Sequence, residues 1–360
     1  MSNDNVEIFC FYNNKGGVGK TTLCQNAASL YAEQNKDEIV LVIDLCPQAN
    51  ISQFLLGGGH KGYGINQRIQ NQSSRKNIVG FMDWLLAGNS GFTSTPTSYM
   101  INPYVWNKKI PENIYLIAGD SFLESQALAL NFATMNPGNI NAWKEFVTAI
   151  RRLCVQELHK SKFSTMKVFI DCNPSFSIYT QMALVSSDHI IIPAMADFSS
   201  LEGIKGILML LYGKYPSSAV RNYASKVLTF NRQISNFGLS LPKIFEIAFN
   251  NFTSNLGIAT AYASVKDEIA QFCWDQYVND PNIFAGSGTI SDKLIFERTF
   301  FSQVKDFHTA GRVSATLGIP LYRLPEHTNY KMPDGVTDVV CPRNRYQECL
   351  DHLHSFVDKL

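Results

Sequence analysis

The chain contains no run of about eighteen apolar residues, so no segment is expected to cross a bilayer as a helix. Its eight cysteines include no Cys-x-x-Cys pair, which excludes a zinc ribbon or an iron–sulfur ligand set and reads as reduced thiols of a cytoplasmic protein. The seven histidines show no metal-ligand spacing; His352 and His354, two apart on an expected helix, point in different directions. Met1–Asn5 lacks the charged and apolar regions of a secretory signal. Charge of either sign is scarce: 31 Lys and Arg against 30 Asp and Glu leave a net +1, which by itself argues neither for nor against a polyanionic partner. One local imbalance stands out, because no Asp or Glu occurs between Leu45 and Met82.

What is present describes a globular protein. Apolar residues make up 45% and charged residues 17% of 360, enough to bury a large core and too apolar for a disordered chain. Apolar strand-like runs occur at Val6–Tyr12, Ile39–Ile43, Ile114–Ile117, Lys167–Ile170, His189–Pro193, Lys243–Asn250 and Ile319–Leu321. They alternate with helical patterns at Leu23–Ala32, after Asp120, and at Tyr346–Leu360. That alternation predicts an α/β fold, a mostly parallel twisted sheet flanked by helices in three layers. Residues 1–360 read as one domain with two insertions. The first, about 57–111, is rich in Gly, Ser, Asn and Thr and carries one helix at Ile78–Ala87. The second, about 253–299, carries aromatics and a glycine loop at Ala285–Thr289.

The strongest chemical signal is Asn14-Lys15-Gly16-Gly17-Val18-Gly19-Lys20-Thr21-Thr22, set between the first strand and the first helix. A glycine-rich bend there presents N–H groups and a helix N-terminus to an anion. Lys20 adds a cation for the β/γ-phosphates and Thr21 a hydroxyl for Mg²⁺, so the loop is expected to bind a nucleoside triphosphate. Two strand ends point to the same place. Asp44 closes Ile39–Ile43, and Asp171 closes Lys167–Ile170; in parallel sheets such carboxyl-terminal ends face the ligand crevice.

Position 14, where the common phosphate loop has Gly, is Asn, and a second lysine, Lys15, stands at the mouth. This pattern resembles the deviant Walker A motif of the ParA/MinD family of dimerising ATPases (the SIMIBI class of P-loop NTPases), and is most similar to the ParA-type members. Asp44-Leu45-Cys46-Pro47-Gln48-Ala49-Asn50 resembles the family's switch I, and Asp171-Cys172-Asn173-Pro174-Ser175 its Walker B and switch II. The likeness continues through Thr180–Pro193 and Ser199–Ile204. It implies ATP and Mg²⁺ as cofactors. Lys15, Gly16, Gly17, Val18, Gly19, Lys20, Thr21, Thr22 and Asp171 would hold the nucleotide; Thr21, Asp44 and Asp171 would attend the metal. Lys15 would reach the nucleotide of a second copy. Asn250, at a strand end, is a candidate adenine contact beside its plainer reading as a turn former.

The departure from the family lies at Cys46. Where the family has the Asp that orients the attacking water, this chain has a thiol, a poor hydrogen-bond acceptor. Asp44, two positions back and roughly 6–7 Å away along an extended strand, is the other candidate for that work. With Lys15, Asp44 and Cys46 as the catalytic set, the expectation is ATP binding with slow hydrolysis.

The resemblance implies an ATP-sandwich homodimer acting in DNA partitioning or intracellular positioning, through nonspecific double-stranded DNA and a ParB-like activator. Lys61, Arg68, Arg75, Lys76, Lys108, Lys109, Arg343 and Arg345 could supply a salt-dependent DNA face, or could simply lie in solvated loops. The expected setting is the cytoplasm, at the nucleoid or free of it, without a membrane. A MinD-like membrane role is disfavoured, because the closing helix lacks a basic polar face. The alternative, motivated by Cys46 and the insertions, is a non-hydrolysing nucleotide switch or scaffold with a regulatory or defence role.

Overall fold

The computed structural model describes residues 5–252, 256–286, 288–305, 307–324, 329–332 and 338–360, with the side chains of 251–262, 305, 308 and 345 outside that description. Ser287 of the glycine loop, His327, and the side chains of His308 and Arg345 therefore lie outside the described residues.

Seven strands form one sheet in the order β3-β2-β4-β1-β5-β6-β7. They are β1 (Val6–Phe11), β2 (Ile39–Leu45), β3 (Ile114–Ile117), β4 (Met166–Cys172), β5 (His189–Ala194), β6 (Lys243–Phe252) and β7 (Phe301–Lys305). Every neighbouring pair is parallel. Helices cover both faces, which explains why strands such as Ile39-Val40-Leu41-Val42-Ile43 read as unbroken apolar runs. The period of two then divides each strand between two cores. Ile8, Cys10, Leu41, Ile43 and Ile170 face one core, with the helices Ile78–Trp84, Ile178–Ser186 and Phe198–Tyr212. Phe9, Phe11, Val40, Val42 and Phe169 face the other, with the helices Lys20–Gln34, Asn50–Leu55 and Arg343–Val357.

Six of the expected strands are present with shifts of a residue or two at their ends. The seventh lies elsewhere. Ile319–Leu321 is not a strand: Pro320 has no N–H to give a ladder, and Leu321–Arg323 forms a 3-10 turn. The seventh strand is β7, which follows directly on the helix Lys293–Phe300. The stretch about 253–299 therefore carries the connection from β6 to β7, through the helices Leu256–Asn279 and Lys293–Phe300.

The stretch about 57–111 holds more order than its composition suggests. Besides the helix Ile78–Trp84 it contains the helix Gly59–Gln70, a π turn at Leu85–Asn89 and a 3-10 turn at Pro103–Val105. Gly57, Gly58 and Gly59 all have positive φ. A β-carbon on Gly58 would fall 2.3 Å from the Gly318 nitrogen, so two backbones touch where no side chain fits. Asn107 ties the same junction together, its Nδ2 donating to the carbonyls of Leu55 and Gly318.

Candidate nucleotide site

From β1 the chain runs to β2 and β3 on one side, returns through β4 and continues to β5 on the other side, so the sheet's direction of growth reverses around β1. A crevice opens at the carboxyl ends of strands at such a reversal. The loop after β1 sits there. Gly17 and Gly19 have φ of 73° and 81°. Gly19 also has a spatial reason: a β-carbon there would lie 1.7 Å from Asn250 Nδ2. Lys20–Thr22 form the first turn of the helix Lys20–Gln34, where N–H groups have no intrahelical acceptor. The Lys20 ammonium curls back over the loop and donates to the Lys15 carbonyl at 2.8 Å. Burial lowers its pKa, and the Asp171 carboxylate partly offsets that.

Register brings the two carboxylates together. Asp44 of β2 pairs directly with Asp171 of β4, so the two expected strand-end acids are lateral neighbours. Both are wholly buried. The Asp171 carboxyl is pushed up to about 7, first by burial and then by the charge of Asp44, against the opposing pull of Thr21 and Lys20. Burial raises Asp44 to about 6, against hydrogen bonds from Ser52 and Cys46. Thr21 Oγ1 donates to Asp171 Oδ2 at 2.7 Å, while Asp171 Oδ1 is buried without a partner. A buried, unpartnered carboxylate oxygen beside a phosphate-loop hydroxyl fits a hydrated Mg²⁺ carried in with a triphosphate. Thr21 and Asp171 would hold that ion, which would neutralise phosphate charge.

Asp44 is hydrogen-bonded to the turn that follows it. Its Oδ1 accepts from the Cys46 N–H at 3.0 Å, and its Oδ2 accepts from the N–H and hydroxyl of Ser52 at 3.0 and 2.6 Å. Ser52 Oγ in turn accepts from the Gly119 N–H. The side chain that could substitute for the missing water-orienting acid is thus bound into the turn that carries Cys46. That turn includes Ala49 with a φ of 53°, the one non-glycine residue with positive φ among those described. Cys46 Sγ lies 3.9 Å from both the main-chain oxygen and Oδ2 of Asp171. Burial, and then the two carboxylates, push its thiol pKa up, against the pull of Lys20.

Lys15 pairs within its own chain. Its ammonium meets Asp197 Oδ2 at 2.5 Å and Ser200 Oγ at 3.4 Å. Asp197 is the N-cap of the helix Phe198–Tyr212, accepting from the Ser200 N–H at 2.7 Å. Gly203 and Gly206, one turn on, let the side chain of Asn14 approach that helix. Asn13 steadies the base of the loop: its Nδ2 donates to the Pro193 carbonyl and its Oδ1 accepts from the Lys15 N–H. Asn250 stands at the loop with Nδ2 donating to the Val18 carbonyl at 3.1 Å.

Lys15, Lys20, Thr21, Asp44, Cys46, Asp171 and Asn250 therefore stand around the loop after β1 and the strand ends beside it. Three that belong with them carry no mark in the motifs. Ser52 holds Asp44, Asn13 holds the loop, and Asp197 holds Lys15. Asp197 had a readable signal, since Asp-Phe-Ser-Ser before an apolar periodic run is a helix start. Burial, and then the charge of Lys61, lower the Lys109 pKa, so these two basic residues of the stretch 57–111 lie near each other. Lys61 donates to the Trp106 carbonyl, Lys109 to the Leu317 carbonyl and Arg75 to Asp120, while Lys108 lies over the Tyr104 ring.

A parallel three-layer α/β sheet with a glycine-rich lysine loop at its reversal point defines a phosphate-loop nucleotide-binding protein. A family model described as an AAA domain (AAA_31) matches residues 6–213, more than half of the chain. The chain belongs to this family and is a ParA-type P-loop ATPase by class.

Individual relatives agree. Over 208 residues the chain is 29% identical to an uncharacterised protein of Pseudomonas putida, covering 56% of this chain and 61% of that one. It is 25% identical over 206 residues to the chromosome-partitioning ATPase Soj of Thermus thermophilus, covering 57% of this chain and 61% of Soj. The chain thus spans about three fifths of the length of these curated relatives. Among solved structures, apo McdA of Cyanothece superposes with a TM-score of 0.55 at 13% identity, covering 98% of this chain and 99% of McdA. The ParA of pNOB8 gives 0.55 at 15% identity, covering 98% and 96%. At such identities the structures speak for the fold alone.

Proposed function

We propose that the chain is an ATP-gated homodimer that turns over slowly, with a role in DNA partitioning or intracellular positioning. The observation that carries the reading is the meeting of Lys20, Thr21 and the unpartnered Asp171 oxygen at the start of one helix. A triphosphate would displace the Lys15 carbonyl from Lys20 and lie along the first turn of Lys20–Gln34. Thr21 and Asp171 would hold the Mg²⁺ that accompanies it, which would neutralise phosphate charge. Lys15, released from Asp197, would extend to the nucleotide of the second copy. Slow turnover follows from Cys46: a thiol is a poor acceptor of the proton or the hydrogen bond of an attacking water, and Asp44 is held by Ser52. The names of Soj and of the Myxococcus xanthus ParA, a chromosome partitioning protein, support the partition role. Nonspecific duplex DNA and a ParB-like activator are the matching partners, in a cytoplasmic or nucleoid-associated setting. None of the described helices is long and apolar enough to cross a membrane.

Sedimentation with ATP·Mg²⁺, ADP or neither, with and without duplex DNA, tests this. The expected result is a dimer only with ATP·Mg²⁺ that retains DNA at low salt and loses it at high salt. A molecule that stays monomeric with every nucleotide overturns it. The second reading, a non-hydrolysing switch or scaffold, is favoured by the thiol at position 46. It predicts the same dimer, with no phosphate release even when a partner is added.

A further inference from the structure

Cys46 does more than remove an acid. The ligand atoms of Asp44, Cys46 and Asp171 all lie within 4.8 Å of one another. Cys46 is partly buried, whereas the two carboxylates are wholly buried. Asp171 Oδ1 has no donor to satisfy it, and Asp44 Oδ1 accepts one bond, from the Cys46 N–H.

The spacing suits a tetrahedral ion with one sulfur donor. Around such an ion, with a sulfur at about 2.3 Å and an oxygen at about 2.1 Å, the two donors sit about 3.6 Å apart. Cys46 Sγ and Asp171 Oδ2 are 3.9 Å apart, close to that value. A thiol together with two carboxylates is also a softer donor set than the all-oxygen one Mg²⁺ prefers.

We propose that Asp44, Cys46 and Asp171 form a binding site for a thiophilic divalent cation of the zinc class, filled without nucleotide. The fourth position is left to water. Binding forms one metal–sulfur bond and releases the thiol proton to solvent, with no change of oxidation state. The site shares Asp171 with the nucleotide reading but does not need the nucleotide.

The test uses the full chain without nucleotide. Cd²⁺ is titrated as the spectroscopic probe, and Zn²⁺ is followed by equilibrium dialysis against excess Mg²⁺. The expected result is one equivalent bound, with a thiolate-to-cadmium absorption band. Cys46→Ser and Cys46→Ala should lose the band and bind Zn²⁺ at least tenfold more weakly; Asp171→Asn should weaken Zn²⁺ at least tenfold. The other seven cysteines remain in the position-46 variants, so a band of parental intensity in either of them overturns the proposal. Equal Zn²⁺ affinity in parent and Asp171→Asn overturns it as well. Binding of a fluorescent ATP analogue, measured on the same samples, reports separately on the nucleotide reading. Each variant is checked by circular dichroism for the parental fold.

Discussion

The two ends of the sheet handle charge in opposite ways. At the amino-terminal end, Glu7 of β1 is paired with Lys167 of the adjacent strand, and His189 Nε2 lies 3.0 Å from its other oxygen. Those partners outweigh desolvation and hold the Glu7 carboxyl down at about 2. At the carboxyl-terminal end, Asp44 and Asp171 stand side by side, and one lysine, Lys20, partly offsets Asp171. Their carboxyls are pushed up to about 6 and 7. The first arrangement is complete by itself. The second sets two carboxylates against one lysine, and a proton or an added cation would relieve it. That contrast separates structural charge from a ligand site, although the sequence shows an acid on a strand in both places.

Placing Asp at position 46 would sharpen the contrast most. Cys46→Asp returns a water-orienting carboxylate to the crevice and should raise phosphate release by about a hundredfold, as a positioned base typically does. Phosphate release assayed with ATP·Mg²⁺ reads the change, and an unchanged rate would mean that another group orients the water. Next comes a matched pair of lysine variants. Lys20→Met should weaken binding of a fluorescent ATP analogue by about a hundredfold, the loss expected when charge-assisted bonds to phosphate vanish. Lys167→Met should leave that binding unchanged and destabilise the fold by about 1–3 kcal/mol in urea titrations. If the two variants exchanged their effects, the comparison would fail. Ser52→Ala should also lower stability, by about 1–3 kcal/mol, because Asp44 Oδ2 loses both a hydroxyl donor and the ordered turn behind it.

The smallest effect is on pH dependence. Asp44 and Asp171 have folded pKa values above those of an unfolded chain, so the native state binds more protons between about pH 4 and pH 7. Stability therefore falls as pH rises through that window. Glu246, buried and raised to about 7 despite its ion pair with Lys359, adds in the same direction. Glu7 has the opposite sign: its contribution is present above about pH 4.5 and is lost as pH falls toward about 2. The melting temperature without nucleotide should decline between about pH 5 and pH 7.5 by a few degrees, and Asp171→Asn should flatten that decline. A steeper decline in the variant would contradict the assignment.

Much of this is legible in the sequence for a physical reason. Strands buried on both faces read as continuous apolar runs, and Ile114–Ile117 has the limits its apolar run indicates. The phosphate loop is legible because its geometry demands particular residues at fixed spacing. β7 escapes such reading because Phe301-Ser302-Gln303-Val304-Lys305 is short, and the helix runs straight into it without a turn residue. Ile319–Leu321 misleads because two apolar residues around a proline mimic an edge strand. In the site, Ser52 and Asn13 are invisible, since nothing local marks a hydroxyl that reaches an acid eight residues away or an amide that reaches a strand 180 residues on.

The contact between the glycines at 57–59 and Gly318 bears on how this molecule could be shortened. Its first excursion looks dispensable, a polar loop to be trimmed toward a minimal protein. Yet the backbone of residue 58 lies flush against residue 318, and the Asn107 amide spans both sides of the seam. Cutting the excursion away would uncover the flank of the helix His308–Leu317 and leave two carbonyls facing water. A pruned version should therefore be sought by redesigning that flank together with the cut, not by deletion alone.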